Sequence, residues 1–273
     1  MECIVCASSC HVLFSGKLMN KYLINYYKCA ECGAVQTEKP YWLNEAYKKA
    51  ITDLDIGLLS RNINLSEDVF RLVMEHFDID AKFLDYGGGY GVLVRLLRDK
   101  GINFYRQDVY CENIFAANFD IEDLDKTERT FELATCFEVL EHTSTPLDLF
   151  EEIRKYSSNI LFTTLLLPEE EPKSTGEWWY FAPETGQHVS FYTLKALSVL
   201  AAKFDMHLYS NGETMHLFTS KPLSKNPFMV KRTIKNKIKH ILFSWLDQQE
   251  KKIASLTGHD VNVARKKIVM NNY

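Results

Sequence analysis

The chain has 273 residues, 46% hydrophobic and 25% charged, with a formal net charge of -4. That length supports one full α/β domain with appendages, and the mild acidity excludes a global field that would draw the chain to nucleic acid or an anionic membrane. No apolar run approaches the ~18 residues of a membrane span, and Met1-Glu2-Cys3 lacks the basic and apolar regions of a signal peptide. A cytoplasmic location is therefore expected, where the seven cysteines would be reduced.

In chain order the cysteines come first. Cys3-Ile4-Val5-Cys6 and Cys29-Ala30-Glu31-Cys32-Gly33 are two C-x-x-C knuckles with 22 residues between them. Val12-Leu13-Phe14 and Tyr22 to Tyr27 read as strands of a small hairpin between the knuckles. This is zinc-ribbon spacing. Four thiolates close a tetrahedral site, so the expected metal is a structural zinc on Cys3, Cys6, Cys29 and Cys32, with Cys10 and His11 as spare donors. The competing reading is two unrelated cysteine pairs in a core. Residues 1–40 would form the ribbon, either bracing the main domain or binding a partner, with bracing favoured.

Residues 41–65, opening at Tyr41 and Trp42 after Pro40, read as a helical linker. Ser66, followed by Glu67 and Asp68, is a predicted helix start before Val69, Phe70, Leu72 and Val73. The main domain is expected over 66–222. Lys82 to Tyr86 is its first strand, Tyr90 to Lys100 an amphipathic helix stopped by Gly101, and Asn103 to Val109 the second strand. The first strand and the helix are joined by the glycine loop of Phe83-Leu84-Asp85-Tyr86-Gly87-Gly88-Gly89-Tyr90-Gly91. A dinucleotide G-x-G-x-x-G reading from Gly87 needs glycine at 92, where Val92 stands. The acid points the same way, since it would repel a pyrophosphate at the helix N-terminus but suits a ligand with an amino group and a sulfonium.

This stretch resembles the S-adenosylmethionine loop of class I methyltransferases, which implies cofactor contacts from Asp85, Tyr86, Gly87, Gly89 and Gly91. Asp108, 23 residues after Asp85, ends the second strand, where a carboxylate can accept both hydrogen bonds of a ribose diol. A plain surface-loop acid is the other reading. Phe131 to His142 resembles the fourth-strand motif of small-molecule class I methyltransferases. In that resemblance Phe137 and Glu138 flank the methionine part of the cofactor, and Glu141-His142 opens a helix near the substrate. The stretch from Tyr110 to Asp120 departs from the family pattern, being too short for a helix and a third strand, and leaves Phe119 and Asp120 as the expected adenine contacts.

Ile160 to Leu167 reads as a strand covered on both faces. Thr193 is a cap for a helix carrying Leu194, Leu197, Leu200, Ala201 and Phe204, and Asn211-Gly212 is a hairpin turn between Met206–Tyr209 and Met215–Thr219. The resemblance implies a Rossmann-like, mostly parallel sheet with an antiparallel last strand, and it covers roughly residues 66 to 221.

Before the Thr193 helix lies Trp178-Trp179-Tyr180-Phe181-Ala182-Pro183-Glu184-Thr185-Gly186-Gln187-His188-Val189-Ser190-Phe191-Tyr192, long enough for a lid and too aromatic for disorder. Its rings either stack on a ligand or form a hydrophobic plug. The segment is similar to that of bacterial methyltransferases associated with glycan and capsule biosynthesis, which often carry an N-terminal zinc ribbon. This implies a nucleotide-sugar or glycan-linked acceptor. For a hydroxyl acceptor His188 is the first candidate base and His142 the second, with Glu141 a candidate if burial raises its pKa. Tyr86, Tyr90 or Phe137 could face the cation.

The tail, 223–273, carries Val230, Ile234, Ile238, Ile241, Leu242 and Trp245 at helical spacing with lysines on other faces. Residues 228–246 therefore read as a basic amphipathic helix that packs on protein, on a second subunit or on the inner membrane face. The expected function is methyl transfer from S-adenosylmethionine to a small sugar-containing acceptor. The competing readings are an RNA methyltransferase guided by the ribbon, which the acidic charge disfavours, and a non-catalytic cofactor-binding module.

Overall fold

A computed structural model describes residues 1–49 and 51–229, with Asn262, Arg265, Lys266 and Val269 of the tail. The predicted helix of residues 228–246 lies almost entirely outside the described residues. Among them, no helix is long and apolar enough to cross a membrane.

The first sheet begins with the predicted hairpin, which is longer than its apolar core. Strands β1 (Cys10–Leu18) and β2 (Tyr22–Cys29) pair antiparallel, joined by a turn in which Met19 and Asn20 both have positive φ, as tight hairpins require. β3 (Val35–Thr37) adds to β2, and β3 is in turn paired by β8 (Ser190–Phe191) from the far end of the aromatic segment. The sheet of residues 1–40 is thus completed by residues far downstream. Helix α1 (Leu43–Ala46) follows, and the Trp42 indole before it donates to the Gly186 carbonyl at 2.8 Å.

Helix α2 runs over Leu58–His76, so Ser66 does not start it. Ser66 is buried in mid-helix and its hydroxyl donates to the Ile63 carbonyl at 2.7 Å, which satisfies it without a cap. The helix crosses the expected boundary at 65/66 and packs on helix α3 (Val92–Asp99).

The second sheet contains β4 (Lys82–Tyr86), β5 (Asn103–Gln107), β6 (Leu133–Cys136), β7 (Asn159–Thr163), β9 (His207–Ser210) and β10 (Met215–Thr219). Their order is β5-β4-β6-β7-β10-β9, with β5 through β7 parallel and β10 antiparallel to both neighbours. This is the Rossmann-like sheet expected from the sequence. β7 stops at Thr163 because the chain then turns away: Leu166 and Leu167 donate to the Glu213 and Tyr192 carbonyls. Helices α4 (Pro146–Arg154) and α5 (Leu194–Lys203) complete the order, and the Thr193 hydroxyl accepts from the Ala196 amide as the predicted cap. Between β5 and β6 short 3-10 turns replace a helix, and a single parallel bridge from Arg106 to Asp120 stands where a further edge strand would begin.

Candidate active site

The parallel strands end at a cleft of about 1310 Å³. Its cofactor-like end is built around the glycine loop. Gly87 and Gly88 donate to the Gln107 carbonyl at 2.8 and 3.1 Å, which folds the loop back over β5, and Gly89 donates to Asp108 Oδ2 at 2.9 Å. Asp108 Oδ1 accepts from the Tyr110 and Cys111 amides at 2.7 and 2.8 Å. Three of the roughly four acceptor positions of a carboxylate are therefore taken by backbone. Asp108 thus organises the loop while also lining the cleft.

Arg106, which sequence reasoning missed, holds the loop from beneath. It is 3% exposed and donates to the Gly89 carbonyl at 2.6 Å, to the Cys111 carbonyl, and to Asp120 at 2.6 Å. Asp120 is thereby spent on Arg106, and Phe119 lies under the Arg98 guanidinium, 3.5 Å from its ring centre. Neither lines the cleft; Val109, Tyr110 and Cys111 do. The expectation of adenine contacts from Phe119 and Asp120 is corrected on this point, because the chain after β5 turns inward as soon as Asp108 caps it.

Asp85, Tyr86, Gly87, Gly89, Phe137 and Glu138 all line the cleft. Gly91 does not. It turns the chain into α3 with φ +85°, and a Cβ there would lie 2.7 Å from Ala116 Cβ and 2.9 Å from its backbone nitrogen. Gly91→Ala is expected to lower stability by about 3 kcal/mol, from left-handed strain of ~1–2 kcal/mol and overpacking of ~1–3 kcal/mol. Urea unfolding checks it; an unchanged midpoint would mean that the loop yields freely.

Asp85 is fully buried, and its Oδ1 accepts from the Thr135 hydroxyl at 2.7 Å. Burial raises its pKa to about 7 against the opposing Thr135 hydrogen bond, with the Asp108 charge adding to the rise. Glu138 has φ +55° and is pinned there by Thr163, whose hydroxyl accepts from the Glu138 amide and donates to its carboxylate, both at 2.9 Å. Arg61 of α2, a second residue missed from sequence, approaches that carboxylate at 3.9 Å while donating both arms of its guanidinium to Asp55.

At the other end of the cleft the aromatic segment divides. Trp178, Tyr180 and Phe181 are buried with Phe14, Tyr26 and Trp42 in the core of the first sheet, so the plug reading holds for most of it. Trp179 is 66% exposed, and it lines the cleft with Tyr180 and Tyr47. The loop also delivers His188 beside His142, their rings edge to face at 4.7 Å. His188 Nδ1 lies 2.6 Å from the Tyr180 carbonyl, which can only accept, so Nδ1 carries the proton and Nε2 the lone pair. Burial lowers its pKa to about 4, the Tyr180 hydrogen bond opposing. His142 Nδ1 lies 3.0 Å from the Tyr47 hydroxyl, and burial holds its pKa well down. It belongs to a 3-10 turn, Leu140–His142, rather than opening α4 as predicted. Glu141 is completely buried behind the two histidines, does not line the cleft, and is pushed up to about 8 by burial and then by Glu138. Arg265 of the tail reaches the same rim, 3.0 Å from Glu184.

The four N-terminal cysteines converge, with Sγ atoms 3.6 Å apart for Cys3 and Cys32 and 3.3 Å for Cys6 and Cys29. A tetrahedral ion at ~2.3 Å from each sulfur places sulfurs about 3.8 Å apart, so the donor set fits zinc. Amides of Val5 and Cys32 donate to the Cys3 and Cys29 sulfurs at 3.4 Å. Cys10 stays outside the cluster, against the Ser8 carbonyl.

A sheet of this order with a glycine-loop cleft at its parallel strand ends is a Rossmann-like α/β sheet. The chain belongs to the methyltransferase-domain family, whose profile matches residues 61–211. No curated protein matches it in sequence. Among solved structures it is similar to CalO1, a methyltransferase in calicheamicin biosynthesis in its SAH-bound form, at 11% identity and a TM-score of 0.41, covering 57% of this chain and 54% of that one. It is also similar to TnmH, at 14% identity and a TM-score of 0.41, covering 67% and 62%. A third is BpumL, the plantazolicin methyltransferase with SAH, at 13% identity and a TM-score of 0.38, covering 66% and 89%. The match thus spans just over half of the first structure's own length.

Proposed function

We propose that the cleft transfers a methyl group from S-adenosylmethionine to a hydroxyl of a sugar-containing small molecule. Bound at the glycine loop, the cofactor supplies an electrophilic methyl on a cationic sulfur. In this reading Asp85, Tyr86, Gly87, Gly89, Phe137 and Glu138 hold the cofactor, and Asp108 fixes the loop around it. The observation that carries the reading is the pair of neutral imidazoles, His188 and His142, on a wall of the same cleft as Asp85 and Glu138. Trp179 offers a ring face for a sugar. Charge bears on the acceptor as well. Asp55, Asp68, Asp85, Asp108, Glu138 and Glu184 line the cleft against Arg61 and Arg265, which suits a cationic cofactor and repels a polyanion. The sugar ring of a nucleotide-sugar or glycan intermediate fits inside, any phosphate stays at the rim, and RNA is disfavoured.

With protein groups alone, His188 Nε2 takes the hydroxyl proton as oxygen attacks the methyl carbon. His188→Ala is expected to lower kcat by about 10²–10⁴-fold while leaving S-adenosylhomocysteine affinity within a few-fold. Equal turnover by the variant would remove His188 from the chemistry. The reading as a whole is tested by incubating the protein with methyl-labelled S-adenosylmethionine and either a nucleotide-sugar-rich metabolite extract or total RNA. Label in the small-molecule pool supports it, and label in RNA alone overturns it. We further propose that the four cysteines hold a structural zinc, bracing the loop that carries His188. Reduced metal-binding thiols suit the cytoplasm.

A further inference from the structure

Behind the histidine wall the interior contains more unpartnered polar atoms than a closed core tolerates. Both carboxylate oxygens of Glu141 lack a hydrogen-bond partner, and so do the hydroxyls of Tyr180 and Thr164. The Tyr180 hydroxyl faces both Glu141 and Thr164 closely enough to interact with each, but completes a well-formed hydrogen bond with neither. Buried polar atoms of native proteins are nearly always paired, whether with protein, water or an ion. The carboxylate also has company. One donor atom from each of Glu141, His142 and His188 lies within 4.8 Å of the other two. Both imidazoles are anchored through Nδ1, His142 by the Tyr47 hydroxyl and His188 by the Tyr180 carbonyl; Nε2 of His188 is left available to a ligand, and the His142 ring has the Gln187 carbonyl as a further neighbour that an ion would have to displace. Metal-ligating histidines are held in this way by their second nitrogen.

We propose that Glu141, His142 and His188 form a second metal site, for a divalent first-row transition ion, at the acceptor end of the cleft. Two imidazoles and one carboxylate leave coordination positions open, and His142 and His188 face the cleft, so an acceptor oxygen can take one of them. The inference rests on the methyl-transfer reading of the cleft and replaces its direct base. An ion-bound hydroxyl has a lowered pKa and releases its proton to water. Its oxygen then bonds to the methyl carbon as the carbon–sulfur bond breaks with both electrons going to sulfur. The products are the methyl ether, neutral S-adenosylhomocysteine and one proton, and His188 serves as a ligand throughout. The four-cysteine cluster differs in kind, since its thiolates are soft donors with no open position.

The test is equilibrium dialysis of the full-length protein, carrying its cysteine-bound metal as purified, against Co²⁺. The expected result is one further Co²⁺ per chain with visible absorption but without thiolate-to-cobalt charge transfer. In Glu141→Gln and in His188→Gln that Co²⁺ should bind at least about tenfold more weakly, with circular dichroism unchanged to show that both variants fold. No saturable uptake outside the thiolate site, or uptake unchanged in both variants, would overturn the metal site. Label transfer in a chelator that leaves the thiolate metal in place separates the two proposals: transfer without Co²⁺ uptake removes the ion and keeps the methyl-transfer reading, whereas uptake with no transfer to any acceptor keeps the ion and removes that reading.

Discussion

Cys29→Ser, or removal by a strong chelator of the metal proposed on the four cysteines, is expected to lower the Tm of the whole chain by about 10–20 °C and to abolish the proposed methyl transfer. Structural zinc contributes about 10–16 kcal/mol in isolated peptides. Even about 5 kcal/mol of that, at ~2–4 °C per kcal/mol for a domain of this size, produces the shift. The effect spreads because the knuckles share a core with the second sheet. Cys3, Val5, Cys29, Cys32 and Ala34 are buried in one cluster with Leu84, Tyr192 and Leu197, and the Thr193 hydroxyl that caps α5 donates to the Cys32 carbonyl at 2.6 Å. β3 holds β8, and the segment just before β8 carries His188. Losing the metal therefore loosens the wall of the active site. Calorimetry with a parallel label-transfer assay reads both effects. A separate low-temperature transition with turnover intact would instead make residues 1–40 a detachable module.

That fusion was the part of the fold least legible in the sequence. Short-range signals read well: the glycine loop, the Asn211-Gly212 hairpin, the Thr193 cap and the four cysteines each depend on residues a few positions apart or on chemistry specific to the residue type. The β3–β8 pairing joins two- and three-residue strands about 150 positions apart, and no local pattern announces it. Arg106 was missed for another reason. At period two Arg106 shares the face of Ile102 and Phe104, which are buried, but an arginine is so rarely buried that the pattern is discounted there; it points into the space beneath the glycine loop, where its charge is met by Asp120 and two carbonyls. Ser66 shows the opposite error, since a residue type suited to capping can also satisfy itself inside a helix. The aromatic run was ambiguous because burial and ligand stacking ask for the same side chains; only the strand that follows it decides that Trp178 and Phe181 turn inward while Trp179 stays out.

Asp85→Asn is expected to act in opposite directions on stability and on cofactor binding. The Asp85 carboxyl, buried beside Asp108, has its pKa raised to about 7, whereas in the unfolded chain it titrates near 3.9. Between those values the native state holds a proton that the unfolded state has lost, so native stability falls as pH rises from about 4 to about 7 and levels off above. A displacement of roughly three pH units corresponds to at most about 4 kcal/mol. Asparagine can still accept from the Thr135 hydroxyl and carries no charge to bury. The ligand-free variant should therefore match the parent near pH 4 and exceed it at pH 8 by up to that amount, as urea unfolding at the two pH values would read. The cofactor reverses the balance. Its sulfonium and ammonium charges reward an ionised Asp85, so the parent should bind S-adenosylmethionine more tightly as pH rises through 7. The variant should bind it about 10–100-fold more weakly at pH 8, the worth of a charged hydrogen bond at ~1.5–3 kcal/mol, with affinity nearly flat across the same range. Titration calorimetry at pH 6 and 8 measures both slopes. A variant no more stable than the parent at pH 8 would show that the carboxylate is already compensated in the empty cleft, and a parent affinity flat in pH would place the cofactor's charges away from Asp85.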